Sequence, residues 1–190
     1  MGTAIYIGEC RPEKGSLLSE LAAHFVPTGY THTVLRVGNV LYEVDLTKGR
    51  TYNKFDLTDN CCDYLKKWGY RIDFFKIGEY DDETIRKITA WWDEKLKKQP
   101  IFNFLRFITY PIDIPRLKYF EWKYRKTGKP EQTLFDLLAP NSNTCIAAVD
   151  KSLKAGGIDL RPDLTENQSY PGLLSEPFRN NKTEFICTGS

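Results

Sequence analysis

The sequence predicts a single α+β domain that spans residues 1–190 and contains mostly antiparallel strands. Two stretches rich in β-branched and aromatic residues, 31–37 and 40–46, are separated only by Gly38-Asn39, which is typical of a two-residue β-hairpin turn. Residues 82–98 repeat apolar side chains at helical spacing, with acids first and lysines last, as the helix dipole favours. No repeat or Gly/Ser-rich linker divides the 190 residues, a length that suits one domain.

The remaining elements follow from shorter patterns along the chain. Runs of β-branched and aromatic residues predict further strands at residues 4–7, 70–77 and 184–187. Apolar residues at helical spacing predict further helices at residues 16–25 and 144–155. Asn143 is the predicted N-cap of the second of these helices, and Gly156-Gly157 ends it. The tail from Arg161 onward contains three prolines and is predicted to be rich in loops.

The composition excludes several classes of protein. Hydrophobic residues make up 41% of the chain and aromatic residues 14%, which argues against a disordered or fibrous chain. No apolar run approaches the roughly 18 residues of a membrane span, and residues 1–10 do not resemble a secretory signal. Five scattered cysteines do not form a disulfide framework, so a reducing, cytoplasmic location is expected. With two histidines and no C-x-x-C pair, neither a metal site nor a cofactor is expected.

The segment from Phe104 to Pro130 differs from the rest of the chain in charge. The segment contains seven basic and two acidic residues, so its net charge is +5, whereas the net charge of the whole chain is +2. Seven aromatic residues lie among these charges. The candidate binding residues for an anionic partner, either a phosphate-bearing polymer or a membrane surface, are Arg116, Lys118, Trp122, Lys123 and Arg125. The alternative is an amphipathic helix whose long basic side chains cover the core.

The predicted hairpin places a histidine beside two carboxylates. With Gly38-Asn39 as the turn, Val34 faces Glu43 and His32 faces Asp45. Residues directly opposed or two apart on a strand share a face, so His32, Glu43 and Asp45 lie together. A carboxylate in that position selects one imidazole tautomer and stabilises the charged ring. The prediction depends on the turn length, because a slip of one residue would move both carboxylates to the other face.

Cys145 is the candidate nucleophile. It lies in the first turn of the helix predicted at residues 144–155, where free N–H groups and the helix dipole favour a thiolate. Cys145, Ala148, Val149 and Ser152 fall on one stripe, so the thiol points to where the helix packs. If the helix packs on the hairpin that bears His32, the residues form a Cys-His-acid site. Taken singly, a helical cysteine is more often a buried core residue.

The order of these motifs resembles a known family. Residues 32–43 resemble a histidine-bearing strand, turn and second strand with a polar residue, and Asn143-Thr144-Cys145 resembles an Asn-Cys element at a helix start. Residues 101–104, Ile-Phe-Asn-Phe, are similar to a Tyr-Asn element, with Phe102 in place of the tyrosine, and residues 170–174 are similar to a Thr-Pro-x-x-Leu element. Together they resemble the circularly permuted papain-like cysteine hydrolases of the NlpC type, including the YiiX/YebB-like group, which are related to the PPPDE isopeptidases and the lecithin-retinol-acyltransferase-like proteins.

The resemblance implies a fold and a catalytic site. The fold is a permuted papain-like domain in which an antiparallel sheet packs against the helix that bears the cysteine, with an insertion at about residues 104–140. The implied roles are Cys145 as nucleophile, His32 as general base, Glu43 as the residue that orients it and Asp45 as the reserve orienter. The backbone N–H of Cys145 would be one oxyanion donor.

The resemblance also implies an activity. It is the hydrolysis of an amide, isopeptide or (thio)ester bond through an acyl-enzyme, on a peptide, a ubiquitin-like conjugate or an acyl-bearing substrate. Two alternatives stay open: an acyltransferase that uses the same triad, and a catalytically silent papain-like domain that binds through the basic aromatic insertion.

Overall fold

The computed structural model of the protein describes residues 2–11, 26–44, 51–57, 72–100, 114–133, 136, 144–165 and 168–183. The strands are β1 (Thr3–Cys10), β2 (His32–Val37), β3 (Val40–Val44), β4 (Tyr52–Asp56), β5 (Ile72–Tyr80) and β6 (Lys182–Thr183). The α-helices are α1 (Asp82–Lys98), α2 (Leu117–Thr127) and α3 (Cys145–Ala155), with 3₁₀ turns at Ile114–Arg116 and Glu176–Asn181. The helix predicted at residues 16–25 and the strand predicted at 184–187 lie outside the described residues.

The strands form one antiparallel sheet in the order β4-β3-β2-β1-β5-β6. The central strand β1 pairs with β2 from Ile5↔Val37 to Cys10↔His32, and with β5 along its other edge. The α+β prediction with an antiparallel sheet is therefore confirmed. The sequence did not predict β4, because its residues Asn53, Lys54 and Asp56 belong to types that are depleted in strands.

The hairpin has the register that the two-residue turn requires. Val37 pairs with Val40 and Leu35 pairs with Tyr42. Gly38 has φ +57°, a left-handed conformation that is open to glycine at the first turn position. Alternate side chains of β2 and β3 point to opposite faces of the sheet, and both faces are buried. The face that bears Leu35 and Tyr42 packs against the helices.

The main core lies between this face of the sheet and helices α1 and α3. Trp92 of α1 is fully buried and stacks on Tyr42, with the ring centroids 5.2 Å apart. The end of α3 approaches α1 so closely that a Cβ on Gly156 would lie 2.6 Å from the Ile88 side chain. The cluster joins the sheet to both helices through Ile5, Ile7, Leu35, Val37, Tyr42, Val44, Tyr52, Ile88, Trp92, Ile146, Val149 and Leu153. Helix α3 therefore packs against the sheet and α1.

Capping groups set both ends of α1 at the predicted residues. The Asp81 side chain accepts a hydrogen bond from the Thr84 backbone N–H (2.8 Å). Gln99 ends the helix in the left-handed conformation, and its side-chain amide bonds both the N–H and the C=O of Tyr52, each at 2.9 Å. These bonds tie the end of α1 to β4. Among the described helices, none combines the length and the apolar character that a bilayer crossing requires.

Helix α2 lies within the predicted insertion and packs on the C-terminal segment. Phe120 is fully buried in a separate cluster with Val26, Leu164, Tyr170 and Leu173. The helix ends at Gly128, which has φ +68°. The amphipathic helix considered in the sequence analysis is therefore present.

Candidate active site

The hairpin brings His32 and Glu43 together, as its register predicts. His32 is the first residue of β2, and Glu43 lies near the end of β3. His32 Nε2 lies 3.5 Å from Glu43 Oε2, and both side chains are at least nine-tenths buried. This separation is long for a hydrogen bond but within ion-pair reach. Asp45, the reserve orienter, lies outside the described residues.

Helix α3 places Cys145 at its first residue. Thr144 is the N-cap, with extended backbone and a side-chain oxygen that accepts from the Ala147 N–H at 3.3 Å. The prediction of Asn143 as the cap is therefore wrong by one residue, since the adjacent threonine fills the position with its own hydroxyl. The helix stops before Gly157, which has φ +84°. Cys145 is 5% exposed and belongs to the main core cluster, as the apolar stripe predicts.

The Cys145 side chain interacts with the His32 ring. Burial disfavours the charged imidazole, but interactions with Cys145 and Glu43 outweigh burial and raise the pKa of His32 to about 10. Three side chains from β2, β3 and the start of α3 therefore form one contiguous buried cluster. The arrangement favours an imidazolium that lies between a sulfur and a carboxylate.

Glu9 is a buried acid beside this cluster that the sequence analysis missed. It pairs with Thr33 across β1 and β2, and the Thr33 hydroxyl donates to Glu9 Oε2 at 2.7 Å. Glu9 has no exposed surface, and burial raises its pKa to about 8 despite hydrogen bonds with Thr33, Ser175 and the Gly172 backbone and the charge of His32. The signal was in the sequence, because the alternation Ile5, Ile7, Glu9 puts the carboxyl on the buried face.

The C-terminal segment that the resemblance singled out lies next to Glu9. Gly172 adopts φ +88°, and the Thr28 hydroxyl donates to the Pro171 carbonyl at 2.7 Å. Gly172 and Ser175 lie beside the Glu9 carboxyl, and their polar groups moderate the rise in its pKa. Residues 101–104, the other short element of the resemblance, lie outside the described residues.

The predicted binding residues of the insertion lie on α2 and just before it. Arg116, Lys118, Trp122 and Arg125 are exposed, whereas Lys123 is half-buried. Two of the five are neutralised, because Lys123 pairs with Glu131 and Arg125 pairs with Glu121 at 2.6 Å.

Within the described part of the chain, no cluster of three or more His, Cys, Asp or Glu side chains has the arrangement of a metal site. Comparisons of the chain with protein-family models, with curated proteins and with solved structures found no match.

Proposed function

We propose that the protein is a cysteine hydrolase of the permuted papain-like type, which cleaves an amide, isopeptide or (thio)ester bond through a covalent acyl-enzyme. The observation that carries the proposal is the contact of Cys145 and Glu43 with the His32 ring. The three residues come from separate parts of the chain, and their chemistry matches a nucleophile, a base and an orienting acid.

The first step would be attack by the Cys145 sulfur on the substrate carbonyl carbon. The raised pKa of His32 supports an imidazolium beside that sulfur at neutral pH, and this ring can protonate the leaving amine, alcohol or thiol. A new C–S bond forms as the bond to the leaving group breaks. Glu43 holds the ring in orientation through its 3.5 Å contact with Nε2.

The second step would restore the enzyme. Neutral His32 removes a proton from water, and the resulting hydroxide attacks the thioester carbonyl and releases the acid. The sulfur departs as a thiolate beside the imidazolium. Because Cys145 is the first residue of α3, its backbone N–H has no partner within the helix and can donate to the oxyanion in both steps.

Site-resolved alkylation tests the proposal. Wild-type protein is treated briefly with iodoacetamide at neutral pH, and the labelled cysteines are identified by peptide mass spectrometry. Rapid labelling at Cys145 is expected, and Cys145→Ala should lose it while keeping the circular dichroism spectrum of the wild type. Cys10→Ala is the matched control, since Cys10 is also buried and lies opposite His32 in the sheet.

Substrate turnover is tested with activated acyl esters and peptide amides. Hydrolysis requires that the intact mass of the protein rises transiently by one acyl group at Cys145, and that water alone discharges it. If only an added amine or alcohol discharges the acyl group, the protein is an acyltransferase. If Cys145 labels no faster than the other cysteines, the proposal of an activated nucleophile is refuted.

A further inference from the structure

The outward face of α2 combines exposed aromatic rings with lysines. Trp122 is 51% exposed and Tyr119 is 42% exposed. Lys118 and Lys126 lie one helical turn before and after Trp122 and are also exposed. Glu121 is the helix's acid, and it lies toward the flank where it pairs with Arg125. The centre of the outward face, defined by Lys118, Tyr119, Trp122 and Lys126, therefore carries positive charge without an acid.

The positive charge of this face is not neutralised within the described residues. Arg116, Lys118 and Lys126 take part in no ion pair there, in contrast to Lys123 and Arg125. The binding set proposed from the sequence is therefore refined. Lys126 is added to the binding set. Lys123 is removed from it, because its ion pair with Glu131 holds α2 in place.

Each of the two rings on this face has a cation over it. The Lys126 ammonium lies 4.1 Å from the centroid of the Trp122 ring, and the Arg116 guanidinium lies 5.9 Å from that of Tyr119. The two rings also lie against each other, with centroids 5.9 Å apart and an angle of 30° between planes. Single-stranded nucleic acid binds by stacking bases on open aromatic faces. Rings that already carry a cation leave less room for bases, and indole and phenol rings beside basic side chains fit instead the headgroup level of a bilayer.

The opposite side of α2 is already occupied by the protein itself. Phe120 is buried in the cluster of the C-terminal segment, and Leu117 packs against the same cluster. The helix therefore has no free apolar stripe for deep insertion, and contact with a bilayer would be shallow and dominated by charge.

We propose that the outward face of α2 docks the protein on an anionic lipid surface, with Lys118 and Lys126 beside lipid phosphates or carboxylates and Trp122 at the headgroup level. This surface is independent of the proposed hydrolase chemistry. A basic residue near such a surface contributes roughly fivefold to binding, so two lysines together contribute roughly thirtyfold.

Vesicle co-sedimentation of the full chain tests this docking. Wild-type protein is expected to sediment with phosphatidylcholine vesicles that contain phosphatidylserine, and not with phosphatidylcholine alone, and added salt should release it. The double variant Lys118→Gln/Lys126→Gln should bind roughly thirtyfold more weakly, and Trp122→Ala should also weaken binding. The matched control is Lys97→Gln/Lys98→Gln, which removes two lysine charges from the end of α1 and should bind far more tightly than the α2 double variant.

The outcomes separate the alternatives. Equal weakening in the α1 and α2 double variants would assign binding to overall charge and overturn the proposal. No sedimentation with anionic vesicles would also overturn it. A labelled single-stranded oligonucleotide, followed by fluorescence anisotropy, is the third arm: binding to it that Trp122→Ala abolishes, without binding to vesicles, would make this face a nucleic-acid surface and refute the lipid assignment. Circular dichroism of each variant checks that these exposed substitutions leave the fold intact.

Discussion

Replacing Glu9 with glutamine should stabilise the protein increasingly as the pH rises. Glu9 is completely buried, and its carboxyl accepts a 2.7 Å hydrogen bond from the Thr33 hydroxyl. Glutamine has nearly the same shape and keeps an oxygen that can accept this bond. It cannot ionise, so the substitution isolates the free-energy cost of a buried carboxylate.

The magnitude follows from the pKa of Glu9, which burial raises from 4.5 to about 8. In the unfolded chain the carboxyl loses its proton near pH 4.5, whereas in the folded protein it keeps the proton until about pH 8. Between these values unfolding releases a proton, so the free energy of unfolding falls by about 1.4 kcal/mol for each pH unit. The contribution of Glu9 to the free energy of unfolding is fully present below pH 4.5, and a few kcal/mol of it are lost by pH 8.

Urea unfolding at several pH values between about 5 and 8 measures this effect. The difference in unfolding free energy between Glu9→Gln and wild type should grow with pH at a slope approaching 1.4 kcal/mol per unit. His32 titrates in both proteins, so its contribution to the pH dependence cancels in the difference between them. Glu94→Gln, which removes an exposed carboxyl paired with Lys98, is the control and should give a difference that does not vary with pH in this range. A pH-independent difference for Glu9→Gln would refute the reasoning.

Two further predictions concern the site and the segment beside it. Glu43→Gln removes one of the groups that raise the pKa of His32, so the imidazole should titrate at lower pH in an NMR titration, and an unchanged titration would contradict the assigned contact. Gly172→Ala should lower the denaturation midpoint more than Gly157→Ala, because both glycines have positive φ but only at Gly172 would the new Cβ lie 2.6 Å from the Thr28 side chain. Gly157→Ala should cost only the roughly 1–2 kcal/mol of left-handed backbone, and equal losses would argue against the clash.

The parts of the fold that the sequence predicts well are those set by neighbouring residues. The two-residue turn at Gly38-Asn39 determines which residues of β2 and β3 face each other, and this brings His32 and Glu43 within 3.5 Å. Likewise, α1 has the predicted bounds because its acids, lysines and caps act within one turn of each end. Such features need no knowledge of the remaining chain.

The parts that could not be predicted depend on contacts between distant segments. Strand β4 has a polar sequence, and pairing with β3 and the Gln99 amide stabilise it. Alternation places Glu9 on the buried face of β1, but the sequence does not show that the segment around Gly172 lies beside its carboxyl. Sequence periodicity showed that Cys145 faces the core but not that the helix reaches β2, because no local rule sets which surface a helix packs against.

The candidate site depends on two element ends, and this explains why small local features matter to it. His32 is the first residue of β2 and Cys145 is the first residue of α3, so the two side chains meet where a strand and a helix begin. At a helix start the backbone N–H groups are free to bind an anion, which the middle of a helix does not allow. The Thr144 hydroxyl takes up the Ala147 N–H and defines where the helix begins. If the helix began one residue later, Cys145 would become the cap and would leave the helical conformation that holds it beside the imidazole. Positioning of the nucleophile therefore rests on a single threonine as much as on the packing of α3.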